Sequence, residues 1–134
     1  MRIDRSFAPD PASIRAARRF VLDAVADAGQ ELRDAISVMV SELAMNAVQY
    51  ARTAFDVRME LTDGSLRVEV SDSGGGTQEA APPPPASSPH GRGLFIVDQL
   101  SDEWGVIPAL DGSEKSVWFR ISIRGARGVQ GIRS

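Results

Sequence analysis

A glutamate and an asparagine four positions apart, Glu42 and Asn46, are the first side chains in this sequence with the spacing of a chemical site. They lie in the segment SELAMNAVQYA, which is predicted to be helical, so both project from one helical face. A carboxylate there can activate a nucleophile, and a carboxamide oxygen can coordinate a hard cation. Solvated helix faces often carry such pairs, but this one stands beside apolar residues at Leu43, Ala44 and Ala47.

Two glycine-rich segments suit the binding of a nucleotide. In the first, Asp72 ends a predicted strand and is followed by three glycines at 74–76. A carboxylate there can accept the exocyclic amine of an adenine, and bare backbone lets the ring lie close. The second segment, Gly91-Arg92-Gly93, opens a predicted helix, whose free N–H groups and dipole would face an anion. The alternatives are a plain Asp-Ser-Gly turn and a glycine-rich helix start.

The segment between these two motifs, residues 77–90, has no apolar periodicity and contains four consecutive prolines at 82–85. Proline excludes both the helix interior and the strand ladder. A loop of this length in a compact domain is either a functional lid or disordered. We expect a flexible lid here.

Composition limits the classes of function. The 134 residues carry a net charge of −3, which disfavours nucleic acid as a partner, and the basic tail at 124–134 has the character of a solvated end. Cysteine is absent and His90 is the single histidine, so thiolate chemistry and His-rich metal sites are excluded. No signal peptide or membrane span is predicted, so we expect one cytoplasmic domain over residues 1–134, with no membrane partner.

The predicted elements that must position the motifs follow the order β-α-α-β-β-lid-α-β-β. They are strands at 2–7, 55–61, 65–71, 103–110 and 115–123, and helices from Asp10-Pro11 to Gly29, at 31–51 and at 93–101. The Asp63-Gly64 and Asp111-Gly112 pairs predict hairpin turns. The fold class is therefore α+β: a two-layer sandwich whose mixed, mostly antiparallel sheet is covered on one face by three helices.

Common nucleotide-binding motifs are missing. The one lysine, Lys115, follows no Walker A loop, and neither glycine pair is extended to a dinucleotide fingerprint. Taken together, however, the segments resemble the Bergerat ATP-binding fold of the GHKL superfamily, which includes gyrase, bacterial histidine kinases and mismatch-repair ATPases. ELAMNAVQYA is similar to the N-box E-L-x-x-N-A-x-x-H-A, DSGGG to the glycine box D-x-G-x-G, and GRGLFIV to the second box G-x-G-L-x-I-V.

The resemblance implies roles for individual residues, with ATP and Mg²⁺ as cofactors. Glu42 is expected to be the general base, Asn46 the magnesium ligand and Asp72 the partner of the adenine amine. KSVWF resembles the late strand that supports this aspartate, so Ser116 is expected to assist it through water. The remaining expected nucleotide contacts are Gly74 and Gly76 at the adenine, and Gly91, Arg92, Gly93 and Leu94 at the phosphates.

Within the superfamily, the short chain and its opening FAPDPASIRAARRFV are similar to anti-sigma-factor serine/threonine kinases, in particular small actinobacterial regulatory ATP-binding proteins. This implies a kinase that phosphorylates an anti-sigma antagonist and sequesters a sigma factor, and it implies a homodimer. The strand and helix bearing Phe7 and Phe20 are the predicted dimer surface.

Two departures keep a second function open. Tyr50 replaces the N-box histidine, and the lid is rich in proline with Glu79 as its one acid. The alternative is a non-catalytic module that binds ATP and switches protein partners without phosphoryl transfer. A third, a catalytic module beside a phosphatase or sensor domain, is disfavoured because the chain has the look of a complete one.

Overall fold

The computed structural model describes residues 1–51, 53–72, 89–108 and 115–123. Five strands and three helices make up this part of the chain, and a π-helical segment, Ala47–Ala51, continues the second helix. Their bounds are β1 Arg2–Phe7, α1 Ala12–Ala24, α2 Gln30–Asn46, β2 Phe55–Thr62, β3 Ser65–Asp72, α3 Pro89–Leu100, β4 Glu103–Pro108 and β5 Lys115–Ser122.

The strands form one sheet in the order β1-β2-β3-β5-β4. Each of the four pairings between described strands is antiparallel. The β2–β3 hairpin turns at Asp63 and Gly64, whose φ angles of 40° and 77° are the left-handed values that an Asp-Gly turn accommodates. This turn and the edge position of β1 confirm the sequence predictions, whereas the predicted turn at 111–112 lies outside the described residues.

One face of the sheet is covered by the helices, and strand alternation explains why. Every second residue of β2 and β3 is buried, and these positions pack with the apolar stripe of α2. The five stripe positions predicted for α2 are all buried: Leu32, Ile36, Val40, Leu43 and Ala47. The predicted α+β sandwich of a five-stranded sheet and three helices is therefore confirmed.

The connection between α1 and α2 differs from the prediction. Asp10 makes no side-chain cap; α1 begins after Pro11 and ends at Ala24, where the N–H of Val25 bonds to the carbonyl of Leu22. Gly29 does not stop α1, because it is the extended residue (φ −64°, ψ 158°) that immediately precedes α2. The side chain of Arg33 donates to the Leu22 and Val25 carbonyls, both at 3.1 Å, and so adds a second donor to carbonyls that already accept the N–H groups of Val25 and Ala28.

The aromatic rings proposed for a dimer surface belong instead to the core. Phe7 and Phe20 are 9% and 8% exposed. Their rings meet edge to face at a centroid distance of 6.0 Å, and Phe7 also stacks on Phe55 at 5.5 Å. Phe7 is on the face of β1 that the helices cover. The sequence of an edge strand alone does not show which of its two faces is covered. Because they are largely buried, these two rings can supply little of a dimer surface.

The predicted lid and tail lie almost wholly outside the described residues. The exception is the end of the lid, residues 89–90, which form the first residues of α3. This helix begins four residues earlier than predicted, because proline is well suited to the first position of a helix. The predicted strand at 103–110 is observed as Glu103–Pro108.

Candidate functional site

The helical face that carries Glu42 and Asn46 is positioned by the buried residues between them. Leu43 and Ala44 are 2% and 0% exposed, so α2 is fixed against the core at this point, and Glu42 and Asn46 are left half-buried at its border. Burial raises the pKa of the Glu42 carboxyl above its ordinary value. A carboxylate with a raised pKa is a better proton acceptor, which suits a general base.

Asp72 is the last residue of β3 and is only 8% exposed. It lies opposite Phe55 of β2 and Lys115 of β5. It continues the buried alternation of Val68 and Val70, so its side chain is on the helix-covered face of the sheet. A buried carboxylate at a strand end, on the same face as α2, fits the predicted role of recognising a polar edge of a ligand.

The start of α3 supplies backbone donors. Since α3 begins at Pro89, which has no N–H, the N–H groups of the first turn without a partner inside the helix are those of His90 and Gly91. Further along α3, Leu94 is half-buried and packs on the core, and Val97 is fully buried. The second glycine motif therefore lies in the first turns of a helix that is anchored by its later residues.

Contacts between elements bring these three motifs to one end of the sandwich. α2 packs against α3, and both α2 and its π-helical continuation pack against β3. α2, which bears Glu42 and Asn46, thus contacts both β3, which bears Asp72, and α3, which bears Gly91 and Gly93. Gly74 and Gly76 are outside the described residues, and so are the side chains of Tyr50 and Arg92.

Ser116 is not brought to Asp72. Its register partner is Ser71, and the two hydroxyl oxygens are 2.7 Å apart. Ser71 alternates with Asp72 along β3, so this pair lies on the opposite face of the sheet, which we call the open face. Support of Asp72 by the Ser116 hydroxyl does not agree with this placement.

On the open face, Ser71 and Ser116 belong to a polar network centred on Glu69. Burial by itself would raise the pKa of Glu69, but hydrogen bonds from Arg67 and Ser116 and the positive charges of Arg67 and Arg58 lower it below its ordinary value. Arg67 bonds Glu69 at 2.8 Å. The network satisfies its own polar groups and supplies no group to the α2 site.

Sequence reasoning missed a cluster of arginines on α1. Arg15, Arg18 and Arg19 have the i, i+3, i+4 spacing of one helical face, and that spacing was a usable signal. Arg18 donates to the Ser41 hydroxyl at 2.9 Å, next to Glu42 in the chain. Arg33 of α2 lies beside the same face.

The antiparallel sheet, its three covering helices and the carboxylate and amide at the border of α2 define an ATP-binding domain of the GHKL type. Comparison with known families agrees: the profile described as "Histidine kinase-like ATPase domain" matches residues 7–121. The chain belongs to this family. Comparison with the curated proteins finds no match.

A solved structure shows the same fold. It is titled the crystal structure of the RsbU and RsbW domains of Rv1364c from Mycobacterium tuberculosis, and it aligns with a TM-score of 0.69 at 16% identity. The alignment covers 92% of this chain but 32% of that chain. The described helices include none long and apolar enough to cross a membrane.

Proposed function

We propose that this chain is an ATP-dependent serine/threonine protein kinase of the anti-sigma-factor type, which phosphorylates an antagonist protein and sequesters a sigma factor. The observation that carries the proposal is the half-buried Glu42, one helical turn from Asn46 and with a raised pKa. The family match to residues 7–121 and the motif resemblance support it. The likeness to the RsbU–RsbW structure supports the fold.

In this proposal each side chain has one task. Glu42 accepts the proton of the acceptor hydroxyl, and Asp72 accepts a hydrogen bond from the adenine amine. Asn46 holds Mg²⁺, and the first turn of α3 orients the phosphates through its backbone N–H groups. ATP would supply the phosphoryl group to the acceptor oxygen and leave as ADP, and Mg²⁺ held at Asn46 would offset the negative charge of the phosphates.

The donor set fits a magnesium ion that is shared with a nucleotide. Among the described residues, no three His, Asp or Glu side chains cluster as a complete metal site. Mg²⁺ is usually held by one or two side chains together with phosphate oxygens and water. A single carboxamide at Asn46 is consistent with that arrangement.

Calorimetry with Mg²⁺ and ATP tests the nucleotide site. Wild type should bind in a metal-dependent manner, and Asp72→Asn should lose most of that affinity because the amide presents a donor as well as an acceptor to the adenine edge. Asp27→Asn, an exposed change on the loop after α1, is the matched control. Wild type that does not bind ATP refutes the proposal.

Phosphoryl transfer is tested separately with radiolabelled ATP and purified anti-sigma antagonist proteins. Glu42→Ala should keep its affinity for ATP and lose phosphoserine formation by roughly 10²–10⁴-fold, the usual contribution of a general base. The alternative is a non-catalytic module that switches partners on ATP, and Tyr50 in place of the N-box histidine favours it. If wild type binds ATP but phosphorylates none of the proteins, the alternative replaces the kinase.

Homodimerisation and the single-domain boundaries at 1–134 belong to the same proposal. Because Phe7 and Phe20 are buried, a dimer must use other residues of β1 and α1 or a different surface. Sedimentation velocity over a range of concentrations distinguishes monomer from dimer.

A further inference from the structure

A small basic cavity lies between α1 and α2. We call it the arginine groove; it has a volume of about 350 Å³ and is lined by Arg15, Arg18, Arg19, Leu22, Asp23 and Arg33. Small-molecule sites in proteins have volumes of about 300–1,000 Å³, so the groove has the size of a site for a compact ligand. Its lining includes none of the three side chains that are proposed to act on ATP.

The positive charges of the arginine groove are not balanced by the protein. Four guanidinium groups stand against one carboxylate, that of Asp23, which leaves a formal charge of +3. The ion pairs in the described part of the chain are Arg67–Glu69 and Arg120–Glu103, so no groove arginine is paired with a carboxylate there. Like charges gathered in one place repel one another, and a bound anion would remove that repulsion.

Two of the guanidinium groups are held in place by hydrogen bonds that use one nitrogen each. Nη1 of Arg18 donates to the Ser41 hydroxyl at 2.9 Å. Nη1 of Arg33 donates to the carbonyls of Leu22 and Val25, both at 3.1 Å. In the described part of the chain, the Nε and Nη2 groups of both arginines have no further partner and can donate to a ligand. A guanidinium fixed in this way loses less conformational entropy on binding than a freely rotating one.

We propose that the arginine groove binds a small molecule through a diphosphate group. Arginine donates pairs of parallel N–H bonds to phosphate oxygens. Here the donors come from two helices, with Arg18 on α1 and Arg33 on α2, so the ligand must accept hydrogen bonds from more than one direction. Two linked phosphates offer such oxygens, whereas a carboxylate offers two oxygens in one plane.

The charge of the groove also favours two phosphates over one. A single phosphate group carries about −1.5 to −2 charges at pH 7, which leaves part of the +3 charge unmatched. Nucleic acid is a poorer occupant, because it is held by many phosphate contacts along its axis and the net charge of the chain, −3, opposes it. The ligand would act as an effector, since no side chain of the proposed phosphoryl transfer lines the groove. The proposal therefore does not depend on the kinase activity.

Isothermal titration calorimetry with sodium pyrophosphate tests the groove. EDTA is present in the buffer, so that a magnesium-dependent nucleotide site does not contribute to the heat. Wild type should bind pyrophosphate saturably, with one site per chain. No binding to wild type would overturn the proposal.

Uridine diphosphate distinguishes the two sources of a diphosphate group, a nucleotide and an inorganic anion. It has hydroxyl groups that the Asp23 carboxylate can accept, and it lacks the exocyclic amine that Asp72 is proposed to recognise. Tighter binding of uridine diphosphate than of pyrophosphate supports a nucleotide ligand, and the reverse order supports an inorganic one. Both orders agree with a diphosphate site.

Neutral substitutions locate the site. Arg15→Gln with Arg19→Gln should weaken pyrophosphate binding by about tenfold or more, because two positive charges leave the groove. Arg2→Gln with Arg58→Gln makes the same change in net charge on the open face and should leave the affinity unchanged. All four side chains are exposed, so both variants should fold, which thermal melting verifies. Equal losses of affinity in the two variants would overturn the proposal.

A substitution that conserves charge tests the fixed geometry. Arg18→Lys keeps the positive charge but removes the planar pair of donors, and it should weaken pyrophosphate binding by about tenfold. Wild-type affinity in Arg18→Lys would contradict a built site, because an unstructured basic surface would not distinguish the two side chains. Binding of Mg²⁺-ATP is measured on the same variants. Unchanged nucleotide affinity separates a failure of the arginine groove from a failure of the nucleotide site.

Discussion

Gly105 is the position where one added methyl group should have a calculable effect. It lies opposite Trp118 in the β4–β5 pairing. A Cβ at Gly105 would stand 2.9 Å from Nε1 of Trp118 and 3.2 Å from its Cε2 and Cζ2. Ordinary carbon contacts begin near 3.5 Å, so Gly105→Ala forces the indole to move.

The indole cannot move without cost, because the Arg67 guanidinium is 4.7 Å from its ring centroid. Arg67 is itself bonded to Glu69 at 2.8 Å. Overpacking costs about 1–3 kcal/mol, and loss of the cation–π contact about 0.5–1 kcal/mol. Alanine recovers about 0.5–1 kcal/mol relative to glycine in a strand. These ranges combine to an expected net loss in the free energy of unfolding of about 0.5–3.5 kcal/mol.

Thermal and urea denaturation measure this loss. For 134 residues the entropy of unfolding is about 0.28 kcal/mol per degree, so Tm should fall by about 2–12 °C. A double-mutant cycle supplies the control: in a Trp118→Val background the added methyl has no ring to meet, and Gly105→Ala should become neutral or stabilising. Equal effects of Gly105→Ala in the two backgrounds would refute the reasoning.

Three further predictions concern charge and helix capping. Glu42→Gln should stabilise the fold more near pH 7 than near pH 4. Because the pKa of Glu42 is raised, its ionisation costs the folded wild type more than the unfolded chain, so the wild type loses stability as pH rises and the neutral glutamine variant does not. Equal effects at both pH values in urea titrations would contradict this. Glu69→Gln should destabilise the fold near pH 7, because the lowered pKa of Glu69 stabilises the folded wild type above the ordinary pKa of glutamate. This loss of stability should disappear as pH falls through the lowered pKa, and a loss that persists near pH 2 would contradict the prediction. Gly29→Asp should stabilise the fold by about 0.5–1 kcal/mol by capping α2, since a Cβ there meets no atom within 4 Å. Gly29→Ala is the matched control: it shares the lower backbone entropy of the unfolded chain but has no capping side chain, so its Tm should lie below that of Gly29→Asp.

The sequence was sufficient where one local rule decided the outcome. The apolar stripe of α2 could be predicted because the five apolar residues at helical spacing between Leu32 and Ala47 are all buried. The β2–β3 turn could be predicted because Asp63 and Gly64 adopt the left-handed backbone that their types permit. Glu42, Asn46 and Asp72 were proposed from motifs of the same local kind, and their roles stay predictions.

The predictions failed where the position of a residue depends on a neighbouring helix or strand. Whether Ser116 faces Asp72 depends on the β3–β5 register, and a shift of one residue moves a side chain to the other face of a sheet. The end of α1 at Ala24 is also contacted from another element, since Arg33 of α2 donates to the carbonyls of Leu22 and Val25. Periodicity within one segment contains neither piece of information.

The order of the strands also affects how the chain can fold during its synthesis. The ribosome completes β4 before β5, yet β5 is the neighbour of β4 in the described sheet. As the chain emerges, β1, β2 and β3 can already pair with one another, while β4 must wait with exposed Val106 and Ile107. β5 then enters between two strands made earlier and joins them. Nascent chains that stall before β5 should therefore be open to proteases and chaperones at β4, although most of the helical layer has been made.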